Sequence, residues 1–273
     1  MLFHDLIAIF ARVLIYVGSI GAAGSILLIL TLRAQGYFAY MLKRQSLVSS
    51  FILILTLPVS YFSFQLSVAG GDIAIAFSEG FRDIYFQTSQ GVLALSRLAS
   101  AAILIILVLL TQRRAFYVYF STIPALVLIS LFVFEGHSTS FGLRWISAAL
   151  VITHLVVVHW WFAVLAPLAH TIPAEQQEYA HRFGSQAIVA VPLMVGAGLI
   201  FLAILAEWEW PEFQEYFQRF ALKMLIFSAV IMMAALNKLY FTNGPGLKWS
   251  LRLETFFGVV LLISTAFLVR TSP

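Results

Sequence analysis

Eight long apolar stretches run along this chain, with short polar segments between them. A helix needs about 20 mostly apolar residues to cross a hydrocarbon core of about 30 Å. The stretches read as residues 6–32, 46–69, 90–110, 115–134, 142–167, 183–206, 216–241 and 249–269. In lipid, backbone N–H and C=O groups must be paired within the protein, which leaves only helices or closed barrels as spanning structures. Segments of this length predict an all-α, polytopic integral membrane bundle of about eight helices. Composition agrees. Of the 273 residues, 62% are hydrophobic and 10% charged, and the mean hydropathy is +0.97, whereas a soluble domain is typically about 45–50% apolar and about 25% charged. The first stretch carries Arg12 and is too long for a signal's apolar core, so it reads as a spanning helix. The spans divide into an N-terminal four-helix half, residues 1–135, and a C-terminal four-helix half, residues 136–273, expected to form one integrated membrane domain.

The basic residues suggest an orientation, because Lys and Arg concentrate in cytoplasmic loops. With the N-terminus outside, nine of them fall in inner loops: Arg33, Lys43, Arg44, Arg113, Arg114, Arg182, Lys238, Lys248 and Arg252. Four fall outside, namely Arg82, Arg144, Arg219 and Arg270. Both termini are therefore expected to be periplasmic. The acids Asp5, Asp72, Glu79, Asp83, Glu135, Glu207, Glu209, Glu212 and Glu215 then lie outside, where they would draw cations towards the surface. The net charge of +4 does not indicate nucleic acid, because the basic residues are scattered beside apolar spans. In the outer loop, residues 70–89, Phe77, Phe81, Ile84 and Tyr85 stand at helical spacing. This predicts an amphipathic helix on the membrane surface, or else packing against the outer ends of the spans.

Polar groups inside the bilayer are costly and mark candidate sites. His137 lies at the outer mouth between spans four and five, His154 near the middle of span five, and His159 five residues further in. Five residues at about 100° each turn these two side chains about 140° apart, so a regular helix cannot aim both along one narrow path. His4, His170 and His181 are terminal or interfacial. There is no cysteine, which leaves imidazole and thioether as the soft-metal ligands, and both suit Cu(I). Met194, Met224, Met232 and Met233 lie in spans six and seven, with Met194 and Met232 as the thioether candidates, although methionine is also an ordinary gap-filler in apolar packing. Arg12, Arg97 and Lys223 each sit about two turns inside a span. They either snorkel and pair with outer acids, or bind an anionic group such as a haem propionate. Glu254 lies about a turn and a half into the last span, with Lys238 or Arg252 as candidate partners. No nucleotide loop, His-Glu-x-x-His sequence or Ser/His/Asp arrangement stands out, so the chain is not expected to be an enzyme.

Several stretches of the second half carry a family likeness. Gly136-His137-Ser138 is similar to Gly-His-Ala, and His154-Leu155 followed by Trp161-Phe162-Ala163-Val164-Leu165 is similar to His-Leu … Trp-Leu-Gly-Gly-Leu. Arg182-Phe183 opens the next helix. Tyr216 to Lys223 is similar to Tyr-Gly-Arg-Leu-Leu-Leu-Lys, and Ala234-Ala235-Leu236-Asn237-Lys238 and Leu251-Arg252-Leu253-Glu254 complete the order. Leu95-Ser96-Arg97 fits an earlier helix. Together these resemble the copper resistance D family of bacterial inner-membrane proteins, over residues 136–269 and more loosely before. Two glycines of the tryptophan motif are Ala163 and Val164 here, which puts close helix approach at that point in question.

The resemblance implies movement of copper between periplasm and cytoplasm, often with a periplasmic copper chaperone. His137 would capture the ion and His154 would bind it within the membrane, with His159, Met194 or Met232 as further ligands. Two alternatives stand beside this. One is a haem b electron carrier ligated by His154, His159 or His181, with Arg12, Arg97 or Lys223 on the propionates. The other is an assembly or copper-homeostasis partner that transports nothing itself.

Overall fold

The computed structural model describes residues 3–110, 114–135, 144–205, 214–241 and 246–270. Among these, eight helices are long and apolar enough to cross a membrane. They are α1 (His4–Thr31), α2 (Gly36–Val68), α3 (Ser89–Leu110), α4 (Phe116–Phe134), α5 (Trp145–His170), α6 (Pro173–Ile204), α7 (Ala221–Leu239) and α8 (Leu247–Phe267). With eight such helices alternating in direction, the start of α1 and the end of α8 lie on one face, called here the terminal face; the α1–α2 and α5–α6 turns and the start of α8 lie on the opposite face.

The central element is α1, which packs against α2, α4, α5 and α8. Small residues make this possible. A Cβ on Gly18 would meet Leu53 of α2, and one on Gly21 would meet Ser49 of α2. A Cβ on Gly24 would collide with the His159 carbonyl and the Ala163 side chain of α5. In lipid, where no hydrophobic force draws helices together, such close backbone approach supplies the packing energy. The close approach expected of the tryptophan motif's glycines is thus provided from the other side: Ala163 is buried, and the glycine stands on α1. Residues Ile20–Gly24 form a π-helical turn in which all five are buried. Ser46 Oγ donates to the Ala22 carbonyl at 3.1 Å, and Gln45 Nε2 donates to the Ala163 carbonyl at 2.9 Å.

Two helices begin earlier than hydropathy alone predicts. α2 starts at Gly36 and not at residue 46, and α6 starts at Pro173 and not at residue 183. The turns added to α6 are polar and those added to α2 mix aromatic and basic residues, and together they fasten the opposite face. Glu175 of α6 accepts from the backbone N–H of Tyr37 at 3.1 Å and of Phe38 at 2.7 Å. It thereby satisfies two of the donors a helix start leaves open. The Tyr179 hydroxyl accepts from Gln35 N at 2.8 Å, and Arg182 Nη1 donates to the Leu32 carbonyl at 3.2 Å.

The 70–89 segment does not form one amphipathic surface helix. Gly70 and Gly71, both at positive φ (64° and 92°), turn the chain, and three single-turn helices follow. Its aromatic rings fold back on α2. Phe77 stacks on Phe62 at 5.7 Å, Phe86 stacks on Tyr61 at 5.7 Å, and Tyr85 meets Phe64 edge-on at 5.2 Å. Tyr85 is buried, so packing against the span ends outweighs exposure to lipid headgroups. That burial pushes its phenol up to about 12.

Candidate functional site

The two membrane histidines of α5 face different neighbours, as the helical period requires. His154 lies against α6, where its Nδ1 is 3.0 Å from the Met194 carbonyl. The ring fits there because Gly198 has no side chain; a Cβ at that position would stand 3.0 Å from His154 Nδ1. Met194 is itself buried. His159 faces the terminal-half helices, with its ring 5.8 Å from that of Phe132 at the end of α4. Its Nδ1 is 2.7 Å from the Leu155 carbonyl.

A carbonyl can only accept, so both rings are held with the proton on Nδ1. In the neutral form this leaves the Nε2 lone pair bare. A metal-binding histidine is arranged in this way, with one ring nitrogen oriented by a carbonyl or carboxylate and the other free to ligate. His159 Nε2 is buried with no hydrogen-bond partner among the described residues.

Phe132 joins this histidine to the charged groups of the terminal face. Its ring lies 5.7 Å from Tyr16 and carries the Arg97 guanidinium 5.2 Å above its centroid. Arg97 is 4% exposed and is ion-paired with Glu135, the residue just before the Gly136-His137-Ser138 motif. Arg97 thus takes the pairing role expected of a deep cation, with a partner from the outer acids. Glu135 is neutralised and adds little to the negative field expected there. His137 lies outside the described residues, as do Glu207, Glu209 and Glu212.

The remaining candidates do not join this group. Met232 is exposed on the outer surface of α7, and His181 is exposed on α6. For haem, the arrangement fits poorly. Arg97 is engaged by Glu135, and His154 and His159 point to different helices instead of into one space.

A second polar site lies towards the opposite face. Glu254 of α8 is 2% exposed. Its Oε1 accepts from Trp161 Nε1 of α5 at 2.8 Å, and its Oε2 accepts from Asn237 Nδ2 in the last turn of α7 at 2.7 Å. Neither cation expected as its partner takes that role: Lys238 Nζ reaches the Gly184 carbonyl at 3.1 Å, and Arg252 is exposed two residues along the same helix. The three residues come from three of the stretches that carry the family likeness. They line a cavity of about 280 Å³ together with Phe183, Gly184 and Lys238. Residue spacing did not reveal this cluster; its one signal was a set of hydrogen-bonding groups in otherwise apolar spans.

Residues 3–144 match the family model for the copper resistance protein D-like N-terminal domain. The chain belongs to the copper resistance protein D family. No curated protein and no solved structure matches it. The matched region is the half whose likeness was loose by motif, and it contains Arg12, Arg97 and Glu135. It overlaps the motif-bearing half only from Gly136 to Arg144. With its eight spanning helices, this copper resistance D protein is a multi-pass membrane protein related to copper homeostasis.

Proposed function

We propose that this protein moves copper ions across the bacterial inner membrane, inward from the periplasm and without ATP or other enzymatic chemistry. Membership of the copper resistance D family carries this reading, and the Nδ1-anchored histidines of α5 support it. The terminal face is periplasmic, as the distribution of Lys and Arg favours. His137 takes copper at the mouth, from water or from a periplasmic chaperone, and the bare Nε2 atoms of His154 and His159 carry it through the membrane. Imidazole suits Cu(I), and a path with few ligands per step binds weakly enough to release the ion. The Met194 thioether, beside the carbonyl that holds His154, is the nearest further ligand. Paired with Glu135, Arg97 no longer presents a net positive barrier to a cation.

The test is copper binding and uptake by the purified protein in vesicles, with wild type beside His154→Ala and His159→Ala. Loss of a ligand should cost at least the roughly 10–100-fold that loss of an outer-shell partner costs a metal site. Copper uptake unchanged in both variants would end the histidine mechanism. A haem absorption band in the purified protein would replace copper transport with electron transfer.

A further inference from the structure

Glu254 is not needed for the copper path, and its surroundings are unusual for a carboxylate inside a membrane span. It lies seven residues into α8, about 10 Å from the start of the helix. Its oxygens are held by two neutral donors, the Trp161 indole and the Asn237 amide. A carboxylate buried for structural reasons is ordinarily paired with a cation, because an uncompensated charge in low dielectric is expensive. Carboxylates that lack such a cation and lie in a span are typical of proton pathways.

The groups around Glu254 leave it as the titrating member of its site. From α5 and α6, the cavity is lined by Trp161, Val164, Phe183, Ala187 and other residues without a titratable group. At the end of α7 stands Lys238, whose Nζ is directed to the Gly184 carbonyl. The helix α1 also packs along α8, and it has no titratable side chain from residue 17 to residue 31. The cavity of about 280 Å³ is lined mostly by apolar side chains, so water has a place in it only beside the few polar groups, because a buried water needs polar partners to stay. Asn237, Lys238 and the Gly184 carbonyl supply such partners between Glu254 and the opposite face. Each carboxylate oxygen keeps a second lone pair beyond the donor it already accepts from.

We propose that Glu254, held by Trp161 and Asn237 beside the cavity that Phe183 and Lys238 also line, is a proton-binding site through which copper movement is coupled to the proton gradient. One carboxylate oxygen takes the proton of a hydronium ion: an O–H bond of the hydronium breaks as the carboxyl O–H forms, neutral water is left, and the reverse step returns the proton to water. No electron moves. The coupling rests on the transport reading above; the proton site does not.

The experiment uses the full-length protein in vesicles containing a pH-sensitive dye, with Cu(I) outside and the pH gradient imposed or abolished. Infrared difference spectra of the same samples between acid and alkaline pH follow the carboxyl group. In wild type, the gradient should change the copper rate, copper should move protons, and a protonated carboxyl band should titrate. Glu254→Gln, which keeps the side chain's size, should lose all three responses while still folding, and Glu254→Asp should restore them in part. Copper movement in wild type that ignores the gradient overturns the coupling. A titrating band that survives in Glu254→Gln overturns the proton site. Absence of copper movement in wild type, with the band present and lost in Glu254→Gln, would sink the transport reading and the coupling and leave the proton site standing.

Discussion

Two carboxylates among the described residues, the partly buried Glu135 and the buried Glu254, are treated in opposite ways. Glu135, on the terminal face, meets a full cation in Arg97, which also lies over the Phe132 ring. Glu254, towards the opposite face, meets only the dipoles of an indole and an amide. In the first site, charge cancels charge. In the second site, both hydrogen-bond donors are neutral and lie beside a cavity, so adding or removing a proton breaks no ion pair of Glu254 among the described residues. The first arrangement locks α3 to the end of α4. The second leaves one group free to respond.

Making the same substitution at both acids gives the sharpest contrast. Glu135→Gln leaves the buried Arg97 without its counter-charge, and breaking a buried pair from one side costs about 3–5 kcal/mol. Glu254→Gln keeps an oxygen to accept from one of its two donors and should cost about 1 kcal/mol. Thermal unfolding of the two variants in detergent measures the gap. An equal loss at both sites would mean that Glu254 has an ionic partner after all, and the comparison would fail. Adding Arg97→Leu to Glu135→Gln should recover most of the loss, because removing both charges is far less costly than removing one.

A smaller effect is expected on the neutral side of the comparison. Trp161→Phe keeps an aromatic ring but removes the Nε1 donor, leaving Glu254 Oε1 without its partner at 2.8 Å. The loss should be about 1–3 kcal/mol, the cost of stranding a buried acceptor. If the proton site is correct, the titration of the carboxyl band in infrared spectra should also move. Unfolding that shifts while the titration stays fixed would reduce Trp161 to a packing role.

The sequence made the membrane bundle legible because eight apolar runs of spanning length admit no other solution. The opposed aims of His154 and His159 followed from the helical period alone. What escaped were contacts between polar residues far apart in the chain. Nothing local marks Glu175 as the group that caps α2, since the donors it satisfies lie 138 and 137 residues away. The polar first turns of α6 were missed for the same reason: hydropathy detects the lipid-facing part of a helix and not the turns that fasten it to its neighbours. Glu254 was visible as an anomaly, yet charge alone suggested Lys238 or Arg252. The structure shows neutral donors doing what a cation was expected to do.

The smallest predicted effect tests whether burial, the largest influence on Tyr85 ahead of the nearby charges of Arg97 and Glu135, gives a group a pH response on the terminal face. Tyr85 is buried in the aromatic cluster against Tyr61 and Phe64, and its phenol is raised from 10.0 to about 12, mainly by desolvation. The folded protein therefore holds this proton more tightly than the unfolded chain does. Its contribution to stability is fully present below pH 10 and is lost as pH rises through about 12. At neutral pH, Tyr85→Phe keeps the ring and should change stability by less than about 1 kcal/mol. Above pH 10 the variant should lose stability less steeply than wild type, because it has no phenol to ionise. Unfolding curves taken at neutral and alkaline pH test both expectations. A wild-type slope that Tyr85→Phe leaves unchanged would place the alkaline sensitivity elsewhere and would confine burial-driven titration to the Glu254 side of the membrane.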